Sequence, residues 1–168
     1  MADPHIESPM DAWDKATVIA YRCGFTLAGP ALLFSLWQPE PARLAILLAA
    51  TLCAACLHIY LKNFRLVLQF GTWAALLLNA FGYPQLALGA AFFTLGGLAY
   101  KEYFCFRVFL LNGQPIFLAA LWFALQLQWT LIAQILTLIS ATLFILLAIA
   151  KWKMPLHFDI GDKSKYQI

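Results

Sequence analysis

Hydrophobic positions along this chain form long segments that are separated by short polar or proline-containing breaks. A helix needs about 20 apolar residues to cross a bilayer, because each residue advances about 1.5 Å against a hydrocarbon core of about 30 Å. Measured against that length, the pattern predicts six transmembrane helices. Their spans are about 16–37, 42–61, 66–81, 85–100, 115–127 and 130–150.

The breaks between these spans contain residues that end helices. Residues 38–41 include two prolines and a glutamate, and residues 82–84 read Gly-Tyr-Pro, which is typical of a turn. Between Pro115 and Ala150 no charged residue occurs, although one helix of that length would be far longer than the bilayer is thick. The amides near residues 126–129 therefore predict a turn, which leaves the fifth span short.

The placement of Lys and Arg predicts the orientation of the spans. With six spans, ten of the eleven basic residues fall on one side of the membrane and Arg43 alone falls on the other. Lys and Arg accumulate in cytoplasmic segments, so both termini are expected in the cytoplasm. The ten are Lys15, Arg22, Lys62, Arg65, Lys101, Arg107, Lys151, Lys153, Lys163 and Lys165. Residues 151–168 would form a cytoplasmic tail, and residues 1–168 a single integral membrane domain.

Composition supports the same class. The 168 residues are 63% hydrophobic and 11% charged, with a mean hydropathy of +0.77, whereas soluble domains are roughly 45–50% apolar and about 25% charged. Disorder is excluded by the hydrophobicity, and a disulfide scaffold by only four cysteines. A net charge of +3 spread along the chain disfavours nucleic-acid binding. The fold class is therefore an all-α polytopic membrane bundle in contact with lipids.

Ionisable residues inside the spans are candidates for function because their burial in a bilayer is costly. Arg22 lies about six residues inside the first span. One interpretation is that its long side chain extends to the cytoplasmic headgroups. The other is an ion pair with Glu102, which the predicted topology places on the same side.

Cys53 and Cys56 form a C-x-x-C pair with His58 nearby, which could be redox-active or part of a metal site. On one continuous helix, however, His58 would lie about 140° from Cys53 and about 200° from Cys56. The alternative is packing, because Ala45, Ala49 and Cys53 form a strip of small residues that lets two helices approach closely. His58 would then hydrogen-bond to a neighbouring helix.

A third candidate is the segment 100–107, where Glu102 and Cys105 would share a helix face. A thiol beside cations could be reactive. The alternative is an interfacial anchor with aromatic rings among the headgroups. No G-x-S-x-G, H-E-x-x-H or Walker motif occurs, so the sequence predicts no catalytic residue, no metal ligand and no cofactor, and does not favour an enzyme.

The stretch Lys101–Phe106, together with residues 9–15 (Pro-Met-Asp-Ala-Trp-Asp-Lys) and 161–165 (Gly-Asp-Lys-Ser-Lys), resembles an uncharacterised bacterial family of integral membrane proteins. The resemblance extends over nearly the whole chain. It implies a multi-pass protein of the bacterial inner membrane. It brings no activity, cofactor or catalytic residue.

Three functional hypotheses follow. The first is association, either as a homo-oligomer or with a membrane-protein partner in a larger complex. The second is a small transporter or channel with a site in the cytoplasmic half, which requires a water-accessible cavity. The third is redox or metal handling, which would use Cys23, Cys56, His58, Glu102 and Cys105. The candidate functional residues are Arg22, Cys56, His58, Glu102 and Cys105, and their mutual distances discriminate between a site and simple packing.

Overall fold

The computed structural model of the protein describes residues 9–166. Within that range the regular structure is entirely helical. The long helices are α1 (Ala12–Phe34), α2 (Pro39–Ala55), α3 (Lys62–Ala80), α4 (Pro84–Phe106), α5 (Gln114–Gln126) and α6 (Thr130–Trp152). A 3₁₀ turn (Leu111–Gly113) precedes α5, and the tail forms the short helix α7 (His157–Ile160) and a second 3₁₀ turn (Lys163–Lys165).

Helix starts follow local sequence signals. Asp11 caps α1, since its Oδ1 accepts from the Asp14 amide at 2.7 Å and the Asp14 carboxylate accepts from the Asp11 amide at 3.0 Å. Pro39 and Pro84 stand in the first turn of α2 and α4, where a missing N–H costs nothing. The prolines that mark breaks in the sequence therefore begin the helices that follow them.

The largest differences from the predicted spans are at the C-terminal ends of α2 and α4, each of which is displaced by six residues. α2 ends at Ala55 rather than near residue 61, because residues 56–61 leave the helix to make tertiary contacts. Ile59 is buried there, and the Tyr60 hydroxyl accepts from the Asp162 amide at 2.7 Å. α4 instead continues six residues past Tyr100, since its charged residues find partners inside the protein.

The helices alternate in direction around α4, which packs against α2, α3, α5 and α6. α1 completes the bundle by packing against α2 and α6. The interior is apolar, with the rings of Phe25 and Phe144 6.1 Å apart where α1 meets α6. The predicted small-residue strip also lies inside, since Ala49 and Cys53 are fully buried beside Gly24 of α1.

The outer surface of the bundle is apolar as well. Phe70, Trp73 and Leu131 are more than 60% exposed, which would be unfavourable in water and is normal against lipid. By length and composition, α1 and α6 are each sufficient to cross a membrane. These observations fit a helical membrane protein.

The two ends of the bundle differ in charge. One end, called the charged end below, contains the beginning of α1, the ends of α4 and α6, and the tail. At the opposite end Arg43 contacts Glu40 and Asn79, while the Gln85 and Gln126 side chains hydrogen-bond at 3.2 Å. Ion pairs at the charged end are more numerous and more deeply buried, so the candidate chemistry lies there.

We expect Gly24→Ala to destabilise the bundle. A Cβ at this position would lie 2.9 Å from the Ala49 carbonyl oxygen and 3.1 Å from the Cys53 nitrogen, both backbone atoms that cannot rotate away. Overpacking of this kind costs about 1–3 kcal/mol. The measurement is the midpoint of unfolding when a denaturing detergent is titrated into the protein in a mild detergent. The control is Cys23→Val, which adds bulk on the exposed face of the same helix. Equal midpoints for both variants would contradict close α1–α2 packing.

Candidate functional site

Five ionisable side chains from four helices meet at the charged end. This charged cluster consists of Arg22 from α1, Lys101 and Glu102 from α4, Lys151 from α6 and Asp159 from α7. All are buried except Lys101, whose side chain is 22% exposed. The cluster joins helices that are distant in sequence to the tail.

Glu102 is the acceptor at the centre of one half of the cluster. Its Oε1 accepts from the Tyr21 hydroxyl at 2.6 Å and from Lys101 Nζ at 2.7 Å, and its Oε2 accepts from Lys151 Nζ at 2.9 Å. Both carboxylate oxygens are therefore occupied. Such charge-assisted bonds offset much of the cost of burying the ions.

Asp159 is the acceptor in the other half. Its Oδ2 accepts from Arg22 Nε at 2.6 Å, and its Oδ1 accepts from Lys151 Nζ. The two terminal nitrogens of Arg22 donate to the Met154 and Pro155 carbonyl oxygens, each at 2.8 Å. Arg22 thereby supplies hydrogen-bond donors to two backbone carbonyls directly after α6, and it holds the tail against α1.

Lys151 connects the two halves because its ammonium contacts both carboxylates. Its Nζ also lies 4.9 Å from the ring centroid of Tyr21 and 4.8 Å from that of Phe106, within cation–π distance. Three cations face two carboxylates, so the cluster carries a net charge of +1 when all five groups are ionised.

A cavity of about 530 Å³ adjoins the charged cluster. Its walls come from the 56–61 connection, the start of α3, the end of α4 and α7. The polar groups that reach it include His58, Lys101, Glu102, Cys105 and Asp159. The apolar walls include Ile59, Phe64, Phe104, Phe106, Phe158 and Ile160.

His58 lines this cavity from outside any helix, so the helical angles expected for it were wrong. Its Nε2 lies 3.4 Å from Thr17 Oγ1, which agrees with the expected contact to another helix. Its Nδ1 is buried and has no hydrogen-bond partner among residues 9–166. Burial, and secondarily the positive charge of Lys101, lowers the pKa of His58 below 6.5, so the imidazole is neutral at neutral pH.

The structure brings together some of the five candidates. Glu102, His58 and Cys105 line the cavity, and Arg22 joins the same cluster. Both interpretations of Arg22 were wrong, because it is 1% exposed and pairs with Asp159 rather than with Glu102. Cys56 caps the end of α2 and lines neither the cavity nor the cluster.

Metal binding receives no support in the described part of the chain. No three His, Cys, Asp or Glu side chains between residues 9 and 166 are arranged to hold one ion. Cys53 is buried with its Sγ 3.6 Å from the Tyr21 carbonyl oxygen, as expected of a packing residue.

Sequence reasoning missed Lys151, Asp159 and Tyr21. Lys151 and Asp159 were assigned to a cytoplasmic tail, and Tyr21 carried no motif. A signal for Asp159 existed in charge balance, since a buried Arg or Lys requires a carboxylate and the chain has only eight acidic residues.

We expect Asp159→Asn to destabilise the fold by about 3–5 kcal/mol, because Arg22 and Lys151 would lose a buried counter-ion. The free energy of unfolding in detergent is the measurement. Asp162→Asn removes the same charge from a more exposed position in the tail and should change stability by less than about 0.5 kcal/mol.

A double variant separates charge from packing in the same assay. Arg22→Gln combined with Asp159→Asn restores the net charge of the cluster and should recover part of the lost stability. No difference between Asp159→Asn and Asp162→Asn would mean that the cluster does not hold the tail.

Comparison with known proteins gives a family. The model of DUF2301, described as an uncharacterized integral membrane protein, matches residues 75–168. An uncharacterized protein from Haemophilus influenzae is 60% identical over 168 residues, which is 100% of both chains. No solved structure gives a significant match. The resemblance inferred from the sequence is confirmed, and the chain belongs to the DUF2301 family of integral membrane proteins.

Proposed function

We propose that this protein is a small multi-pass transporter of the bacterial inner membrane with a ligand site in its cytoplasmic half. The observation that carries the proposal is the cavity of about 530 Å³ at the charged cluster. Ligand sites are typically concave, largely apolar and supplied with a few polar groups, and the size of this cavity lies within their usual range.

The proposed topology has six crossings with both termini in the cytoplasm. It is supported by helices that alternate in direction and by the concentration of basic residues at the charged end. Since Lys and Arg accumulate on the cytoplasmic side, the charged end is assigned to the cytoplasm. The short helix α5 would cross with the help of the preceding turn Leu111–Gly113.

A smaller cavity at the opposite end supports transport over a one-sided binding role. It has about 160 Å³, and Ser35, Glu40 and Arg43 line it at the opposite end. Along α1, the buried Phe25 lies between Arg22 of the charged cluster and Leu32, which lines the smaller cavity, and it packs against Phe144 of α6. Alternating access exposes one site to each side of the membrane in turn, and cavities near both ends with a packed layer between them fit a closed state of such a pathway.

The other hypotheses have less support. Association with itself or with another membrane protein stays a prediction, because an apolar outer surface is equally expected against lipid. Redox or metal chemistry lacks a group of ligands in the described residues, and Cys56 lies away from the cavity.

Thiol labelling tests the proposal and the topology together. Cys105 lines the larger cavity, so we expect a membrane-impermeant maleimide to label it in inside-out vesicles and not in spheroplasts. A cysteine introduced by Ser35→Cys, which lines the smaller cavity, should label only in spheroplasts when it is combined with Cys105→Ala. The background carries Cys23→Ala and Cys56→Ala and keeps the buried Cys53.

The matched control adds Cys105→Ala and should label in neither preparation. Labelling of Cys105 from the outside would contradict the orientation. Absence of labelling at both positions would show that the bundle is closed to water and would overturn the ligand site.

A further inference from the structure

We infer that the ligand of the larger cavity is an anionic amphiphile, which combines one negatively charged head with an apolar body. This inference rests on the proposed ligand site and names its chemical class. It follows from three properties of the cavity: its charge, its lining and its opening.

The charged side chains that line the cavity are Lys101, Glu102 and Asp159, and the two carboxylates are paired within the charged cluster. In the charged cluster both carboxylates are saturated by buried donors, which leaves one cation in excess. Lys101 is the cluster member with appreciable exposure, at 22% against 2% or less for the others. Because the imidazole of His58 is neutral, the accessible charge at the cavity is the Lys101 ammonium.

Lys101 has hydrogen-bonding capacity to spare. An ammonium has three donors, and the Glu102 carboxylate is its hydrogen-bond acceptor among the described residues. Its Nζ also lies 5.4 Å from the ring centroid of Tyr21, which positions it without using a donor. An anionic head could therefore bind Lys101 without breaking the cluster.

The lining of the cavity is suited to an apolar body. Aromatic rings surround it, including those of Phe64, Phe106 and Phe158, and the buried Ile59 and Ile160 complete the walls. A small inorganic anion would leave these surfaces against water. An amphiphile would cover them, which is favourable because apolar area is removed from water.

The opening of the cavity is apolar too. Leu61, Tyr100 and Phe104 line it and are 59%, 46% and 44% exposed, so the cavity reaches the outer surface at side chains that suit lipid contact. A ligand could enter there with its apolar body first in contact with the bilayer.

The test is fluorescence titration of the purified full-length protein in a non-ionic detergent. The probes are dansyl-undecanoate, its uncharged methyl ester, and acetate as a head without a body. We expect the acid to bind about tenfold more tightly than the ester, and acetate not to compete. Lys101→Gln should remove the preference for the acid, and Lys101→Arg should keep it.

Two control variants separate the site from general effects. Lys153→Gln removes an exposed cation outside the cavity and should leave binding unchanged. Cys105→Trp fills the cavity while all five charged residues of the cluster are kept, and it should abolish binding of both acid and ester. Unchanged binding of the acid by Lys101→Gln or by Cys105→Trp would overturn the inference.

Competition identifies the source of the ligand. Displacement of the probe by laurate indicates a free acid, and displacement by phosphatidylglycerol indicates a bilayer lipid. Both results support the anionic class, whereas equal displacement by phosphatidylcholine contradicts it. Equal affinity for acid and ester overturns the inference and leaves the proposed site intact. Absence of binding by any probe, together with an unlabelled Cys105, overturns both.

Discussion

The burial of the Lys151 ammonium constrains everything at one end of this bundle. An unpaired ammonium in an apolar interior costs several kcal/mol, so carboxylates must reach it. Glu102 reaches it from α4 and Asp159 from α7, and each then accepts from a second cation. Through this shared requirement the tail folds back onto the helices, and α1, α4 and α6 are held in register.

The position of the tail determines the cavity. Asp159 enters the cluster, so its neighbours Phe158 and Ile160 become part of the cavity wall. The 56–61 connection closes another side because Tyr60 accepts from the Asp162 amide and meets the ring of Tyr166 at 5.1 Å. The cavity is thus formed by segments from different parts of the chain, and its shape depends on the ion pairs of the adjoining charged cluster.

The sequence predicts the helices well and the site less well, for a physical reason. Uninterrupted apolar segments and first-turn prolines are local signals, and α1 to α6 form where these signals predict helices. The end of α2 and the partner of Arg22 depend on contacts between distant segments. Local patterns assigned Asp159 to a cytoplasmic tail. Only the folded chain shows that it pairs with Arg22, which lies 137 residues away in the sequence. Glu102, His58 and Cys105 were found because rare polar groups stand out in an apolar chain.

The inferred preference of the cavity for an anionic ligand follows from the same ion pairs. If the cluster held equal numbers of cations and carboxylates, its field would largely cancel and the apolar walls alone would choose the ligand. With three cations and two carboxylates one positive charge stays unbalanced, and a ligand can approach the cluster only at the group that is exposed. Arg22 and Lys151 are enclosed by carboxylates, carbonyls and rings, so that group is Lys101. An anion at Lys101 would complete the charge balance that the protein itself leaves open.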